Sequence, residues 1–413
     1  MRCGWASGLR LVESSWATGH QTSSIDRTLE SLRVLFVSHS FPPFGRPLAN
    51  LGGMQRVATG LASALGRHKG VDLHSLVLRT SWRVQHVRTG PFLARLLWQL
   101  PRIVREQRID VVLFSSLVTA AVMIPLRRRL TKLGTATAAI AHGRDVTLPA
   151  PSYQRLVPRI LQSLDMVLPV STATQHECLV RGATVQRSCV IPNGVDTGSL
   201  AATADFDAAR ARLLHEFQGP DSRMPHEAFL LLSIGRHVER KGFGWFVSHV
   251  MVLLDCNVHY WIAGEGPETR DIESEVARCG LEDRVRLLGR LPDDKLRMLM
   301  QGADLHLMPN IPVPGEIEGF GVVTLEAGAC GLPTLAADLE GIRDAVLEGA
   351  NGYLVPSLDA AAYAGRIAAL ARDRAGLRLM GSRAARYTNE RFDWQVVGER
   401  HVEVLRAIAR SRE

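Results

Sequence analysis

The sequence predicts an α/β protein built from two Rossmann-like domains, each a parallel sheet covered by helices. Three observations predict it. Short apolar runs of strand length alternate with helical stretches. The alternation pauses at a turn-rich Pro-Asn-Gly-Val-Asp string, residues 192–196, and restarts at Phe229. Glycine-rich loops follow several of the apolar runs, the place where open α/β sheets bind ligands. The chain of 413 residues is long enough for two or three domains of roughly 100–200 residues each. With 46% hydrophobic and 22% charged residues it should bury a sizeable core. A formal charge of +8, from arginine spread along the chain, favours anionic ligands or a membrane surface. The six cysteines show neither metal-ligand spacing nor a disulfide framework, which points to a reducing compartment.

Residues 1–32 lack periodicity and are rich in Ser and Thr; they are expected to be a disordered extension. Residues 33–38 form a compact apolar run, the first buried strand of a parallel sheet. Pro42, Pro43, Gly45 and Pro47 then forbid regular structure until Gly52 and Gly53 open a helical stretch through Leu65. A strand, a glycine turn and a helix make an anion-binding corner, although a glycine pair alone is more often just a turn. Further strands are predicted over 71–78, 109–114, 135–141, 166–170 and 188–191. Residues 92–107, leucines with interspersed arginines, predict an amphipathic helix that packs on the core and offers a basic face to a membrane surface. The most apolar window, 111–126, ends in Arg127, Arg128 and Arg129; it is short of the roughly 20 residues of a membrane span and divides into a strand and a helix. His142-Gly-Arg-Asp145 stands just after the fourth predicted strand.

The second half restarts with an apolar run over 229–234, followed by Gly235, Arg236 and Lys241. Two cations five positions apart beyond a strand end can grip a diphosphate, one as a planar fork and one as a point charge. The next predicted strand leads into Gly264-Glu-Gly266-Pro267, with Thr269 where a dinucleotide fingerprint needs its third glycine. This supports a Rossmann-like sheet, with a helix starting at Pro267, but not a nicotinamide cofactor. Strands over 285–288 and 304–308 flank a helix over 293–301, and a loop stiffened by Pro312 and Pro314 delivers the chain to Glu318. From there Glu318-Gly-Phe-Gly-Val-Val-Thr-Leu-Glu326 sets two carboxylates eight positions apart across a glycine turn and the start of a helix. The unpaired amides of a helix start attract phosphate, whereas carboxylates want hydroxyls. A group offering both is a sugar nucleotide. A strand over 333–336 follows, and the remainder past Pro356 is helical by pattern. Asp205-Phe-Asp207 has the spacing of a metal site but no apolar strand before it, and it reads as a helix start.

Glu318, seven intervening residues, Glu326 and then Ala-Gly-Ala-Cys-Gly-Leu-Pro resemble the donor-site signature of retaining GT-B glycosyltransferases, family 4 in particular. His142-Gly-Arg-Asp145, the Pro-Asn-Gly-Val-Asp string, Gly235-Arg236 with Lys241-Gly242, and the Gly-x-Gly-Pro turn extend the resemblance from Arg33 to Arg410. It implies an acceptor domain at 33–196, a linker at 197–228, a donor-binding domain at 229–390 and a final segment, 391–413, packing back on the first domain. His142, Glu318, Arg236 and Lys241 would be catalytic. His142 and Glu318 would lie at the transferred sugar, and the two cations would neutralise the leaving diphosphate. Gly52, Gly53 and Gly235 would line the donor, the amides of Gly319, Phe320, Gly321 and Val322 would face sugar and diphosphate, Glu326 the ribose, and the turn at Leu291 the base.

No metal and no cofactor are implied, the donor being a UDP- or GDP-sugar. Glu340 departs from the glycine commoner at its position in the family. The expected function is transfer of a hexosyl unit, with retention, to a sugar or lipid-linked hydroxyl, in the cytoplasm and peripherally at the membrane, with no nucleic-acid partner. The alternative is a non-catalytic nucleotide-sugar-binding subunit or sensor with the same fold. Phosphorylases share the scaffold but need a pyridoxal lysine context that this sequence lacks.

Overall fold

The computed structural model describes residues 31–45, 53–203, 205–217 and 224–412; the extension through residue 30 and Gly52 lie outside the described residues. The first sheet holds β1 (Leu32–Phe41), β2 (Val71–Arg79), β3 (Val111–Phe114), β4 (Ala136–Ala141) and β5 (Met166–Pro169) in the order β2-β1-β3-β4-β5, all parallel. In β1, Val34 and Phe36 face one layer of the core while Leu35 and Val37 face the other. That period-two burial on both faces explains the unbroken apolar run. The helix Gly53–Arg67 covers one face through Leu61 and Leu65, and the helix Trp82–Glu106 covers the other through Leu96, Leu100 and Val104. The latter starts well before residue 92 and runs through Pro91 and Pro101. Packing of its apolar stripe outweighs the hydrogen bonds that the two prolines forfeit.

Residues 188–191, expected as a sixth strand, make a single bridge from Ser188 to Val167. The N–H groups of Cys189 and Ile191 donate to the carbonyls of Val167 and Pro169, but among the described residues the next N–H in that alternation, that of Asn193, donates to no carbonyl, so the ladder stops there. The second sheet holds β6 (Phe229–Ile234), β7 (Val258–Ala263), β8 (Val285–Gly289), β9 (Leu305–Met308), β10 (Thr334–Ala337) and β11 (Gly352–Val355), again all parallel, in the order β11-β10-β9-β6-β7-β8. The helix after β7 begins at Thr269, not Pro267. Gly264 serves close packing of loops, because a Cβ there would lie 1.8 Å from the Gly235 carbonyl oxygen.

In chain order the helix Phe206–Phe217 comes between the two sheets and packs on the second half, fastened by the buried Arg210 to Asp304 (2.5 Å) and to the carbonyls of Gly302 (2.7 Å) and Ala228 (2.6 Å). Asp205 and Asp207 lie at its start. Asp205 accepts the Ala208 N–H at 2.9 Å, and Asp207 faces Arg378 at 3.4 Å.

The chain passes between the two halves twice, and the passages are paired. The Val195 N–H donates to the Phe392 carbonyl (2.8 Å) and the Trp394 N–H to the Val195 carbonyl (3.2 Å). The final helix, Trp394–Arg410, then lies on the first half, where Trp394, Val397, Val402 and Leu405 share a core with Val34, Phe36 and Leu61. The Trp394 indole fills space that only glycine leaves open, since a Cβ would sit 2.3 Å from its ring at Gly60 and 2.5 Å at Gly194. Phe320 and Leu325 of the second half enter the same core, the Phe320 ring 6.0 Å from that of Phe392. Trp394→Ala should therefore cost about 3–5 kcal/mol, read from the urea midpoint. A loss below about 1 kcal/mol would mean that this contact does not fasten the two halves.

Candidate donor site

Glycine at 321 takes φ +78 and starts the helix Val322–Ala329. Among the described residues, no hydrogen bond engages the amides of Gly319, Phe320, Gly321 or Val322. Four successive free N–H groups at the head of a helix form a cradle for an anion. The Phe320 side chain is core, so only its backbone is available to a ligand. Gly319 touches the other domain directly, since a Cβ on it would lie 1.9 Å from the His142 carbonyl oxygen. The loop after β4 and the turn after β9 thus meet across the cleft. Thr172 adds to the contact through its N–H and hydroxyl, both donating to Asp344, the hydroxyl at 2.8 Å.

His142 is held on both sides. Its N–H donates to Asp145 Oδ1 at 2.7 Å, while Asp145 Oδ2 accepts the Leu117 N–H at 2.9 Å. Its ring Nε2 lies 2.8 Å from the Ser115 carbonyl, a contact that places the proton on Nε2 and leaves Nδ1 as an acceptor in the neutral ring. Beside it, burial and the proximity of His142 push His39 down to about 4, so His39 is neutral at physiological pH.

Beneath the turn, Lys241 Nζ donates to Glu318 Oε2 at 2.7 Å, and Asn310 Nδ2 donates to the same oxygen at 3.1 Å. Burial alone would raise the Glu318 carboxyl, but Lys241 and Arg240 with these hydrogen bonds hold it down to about 2. Burial likewise pushes the Lys241 ammonium below its ordinary value while Glu318 pulls it back. Arg236, two residues past β6, is exposed and, among the described residues, its side chain makes no hydrogen bond or salt bridge. Burial of part of its side chain and the nearby Arg144 and Arg240 depress its guanidinium, so it adds to a cluster of positive charge that Glu316 answers only in part. Gly235 lies 3.6 Å, measured from its would-be Cβ, from the Lys241 side chain.

On the far side of the signature helix, the buried carboxylate of Glu326 is met by Arg56 from the first domain, which also holds Asp293 at 2.6 Å. Leu291 is half-buried against the core of Leu230, Leu232 and Met300. Gly53 is the first residue of the helix that carries Arg56. The structure thus brings His142, Gly319, Glu318, Lys241 and Arg236 around one cleft, with Glu326 and Leu291 farther along the second domain's rim.

Sequence reasoning missed Arg56, Asp293, Asn310 and Arg240. Arg56 carried a usable signal, a cation one turn beyond a glycine pair. Glu340, noted only as a departure, keeps the backbone of a glycine at φ +45 and accepts the Glu318 N–H. Burial raises its carboxyl. Among the described residues no group of His, Cys, Asp or Glu is arranged to hold a metal.

Residues 228–373 match the family model described as glycosyl transferases group 1, and residues 51–199 match glycosyltransferase family 4. The chain is 30% identical over 280 residues to a D-inositol 3-phosphate glycosyltransferase of Xylanimonas cellulosilytica, covering 67% of this chain and 64% of the relative. It is 31% identical over 227 residues to a phosphatidyl-myo-inositol mannosyltransferase of Mycobacterium leprae, covering 54% of each. The matched stretch thus spans less than two thirds of these relatives' own length. Among solved structures, Anabaena HepE in complex with UDP superposes with a TM-score of 0.69 at 18% identity, covering 91% of this chain and all of that one. The fold is that of the GT-B enzymes.

The ion pair beneath the turn makes a pH prediction. Glu318 is held below its ordinary 4.5, so the stability it contributes is complete above that value and is lost as pH falls toward 2. The urea-unfolding gap between wild type and Glu318→Gln should stay constant from about pH 7 to 5 and narrow below about pH 4.5. A gap that does not narrow in acid would rule out an ionised Glu318.

Proposed function

Because the chain belongs to the group 1 and family 4 glycosyltransferases, we propose that it transfers a hexosyl unit from a nucleoside diphosphate sugar to a hydroxyl, with retention and without metal. The single observation that carries this reading is the run of free amides from Gly319 to Val322 above the Lys241–Glu318 pair. An anion seated on those amides would meet Arg236 as a free cation. Bond cleavage develops negative charge on the diphosphate, and preorganised N–H groups and cations aimed there lower the barrier. His142 would stand on the acceptor side of the reacting bond, its ring fixed by the Ser115 carbonyl and its backbone by Asp145. Glu318, ionised by Lys241, would accept hydroxyls of the transferred sugar. The two domains would supply proximity by closing on both substrates.

The solved relative in complex with UDP and the relatives acting on inositol phosphate and phosphatidylinositol support a UDP- or GDP-sugar donor and a polyol or lipid-linked acceptor. A membrane-borne acceptor has a further support in the helix Trp82–Glu106. Trp98 is 85% exposed and Val87 66% exposed, and Arg88, Arg95, Arg102 and Arg105 are exposed along the same helix. An aromatic ring among arginines suits an anionic lipid interface. Among the described residues no helix is long and apolar enough to cross a membrane.

Two measurements test these readings. Incubation with a panel of UDP- and GDP-hexoses and hydroxyl acceptors should give a product whose anomeric configuration, read by NMR, matches the donor's. Arg236→Ala and Lys241→Ala should each lower kcat about 10²–10³-fold. Nucleotide-sugar binding with no turnover on any acceptor would favour the sensor reading instead. Separately, Trp98→Glu should abolish most co-sedimentation with phosphatidylglycerol vesicles at low salt, and equal pelleting of the variant and wild type would remove the membrane face.

A further inference from the structure

We propose that Arg56 is a positioning residue that reaches across the cleft to fix Glu326, and that it ties domain closure to binding of the donor's ribose. The ribose part rests on the donor-site reading above. Arg56 lies in the first turn of the helix Gly53–Arg67. Its guanidinium is shared between two carboxylates of the other domain, Nη1 on Glu326 Oε1 and Nη2 on Asp293 Oδ1 at 2.6 Å. Glu326 is only 6% exposed, whereas Asp293 heads the helix Asp293–Gly302 at the rim. A planar fork can serve both at once, which an ammonium cannot do with the same geometry.

A carboxylate this buried is costly without a partner, so its orientation depends on what holds it. Arg56 occupies Oε1; among the described residues Oε2 has no hydrogen-bond partner. A vicinal diol can therefore be accepted at Oε2 while Arg56 stays on Oε1. Ribose and Arg56 share the carboxylate in this arrangement and do not compete for it. Because Arg56 belongs to the opposite domain, the shared state exists only when the cleft is closed. A ligand that binds Glu326 better in that state shifts the equilibrium toward closure.

The test uses the full chain with UDP, GDP and ADP as probes in calorimetry, and small-angle scattering with and without nucleotide. Arg56→Ala should raise the Kd of the nucleotide that binds wild type about tenfold, the loss of one charge-assisted contact. It should also enlarge the ligand-free radius of gyration. Arg56→Lys should restore little of either, and adding Asp293→Asn to Arg56→Ala should cost nothing more. Unchanged or tighter nucleotide binding by a folded Arg56→Ala would overturn the proposal, the tighter case meaning that Arg56 competes with ribose. If wild type binds none of the three nucleotides, the donor-site reading fails and the ribose part falls with it. The closure part is then decided by scattering alone: expansion of ligand-free Arg56→Ala supports it and an unchanged radius removes it.

Discussion

A carboxylate taken out of water must be answered by a cation or by several hydrogen bonds, and at Glu318 the answer is Lys241. Much of the site follows from that pair. Lys241 comes from the loop after β6 and Glu318 from the turn after β9, so the contact locks together the ends of two adjacent strands. Asn310 completes the anchor from the loop between β9 and the turn, and Glu340 holds the turn from behind by accepting its N–H. The turn is thereby fixed while its amides remain free. Charge placed under a glycine turn gives rigidity without side chains that would fill the space of a ligand.

Rigidity on that side contrasts with how the two domains meet. Thr172 on Asp344, Thr174 on the Gly319 carbonyl, Arg56 on Glu326 and Asp293, and the backbone of His142 against Gly319 are small polar or steric contacts. Such interfaces suit motion. Where the chain crosses between domains, by contrast, the linkage is apolar and deep, built on Trp394 in the gap left by Gly60 and Gly194. The molecule is fastened at its crossing point and lightly latched at its cleft.

Much of this was legible in the sequence. Period-two burial on both faces of β1 and β6 produces apolar runs that cannot be confused with loops, and glycines at the strand ends mark where backbone must pass backbone. Glu318, Lys241 and His142 were singled out by motifs that resemble those of a known family, in loops that follow strands. What stayed hidden has a common cause: Arg56 with Asp293, and Asn310 with Glu318, are partners brought together by tertiary packing, and the glycine pair before Arg56 marks a cation near a turn but not the carboxylates it reaches across the cleft. The short bridge at Ser188 and the late helix start at Thr269 show a different limit. Where a backbone ladder stops or a helix starts is set by individual hydrogen bonds, and the apolar pattern alone does not register them. Phe320 was read for its amide alone, yet its ring belongs to the other domain's core, a dual role that spacing does not reveal.

The return of the helix Trp394–Arg410 to the first sheet has a consequence for how the chain acquires its structure. The layer holding Val34, Phe36 and Leu61 is synthesised before the second sheet, yet part of its cover, the helix Trp394–Arg410, is synthesised after it. Contacts such as Gly60 with Trp394 span most of the polypeptide, so their loop-closure entropy is met only once nearly everything else is made. During translation one face of the first sheet should stay only partly covered, by the helix Gly53–Arg67, while the second sheet, whose strands and helices run without interruption from Phe229 to Phe392, can condense beforehand. The fold thus postpones completion of its first domain until the second is in place, and nascent chains stalled before Trp394 are the ones that should need chaperones.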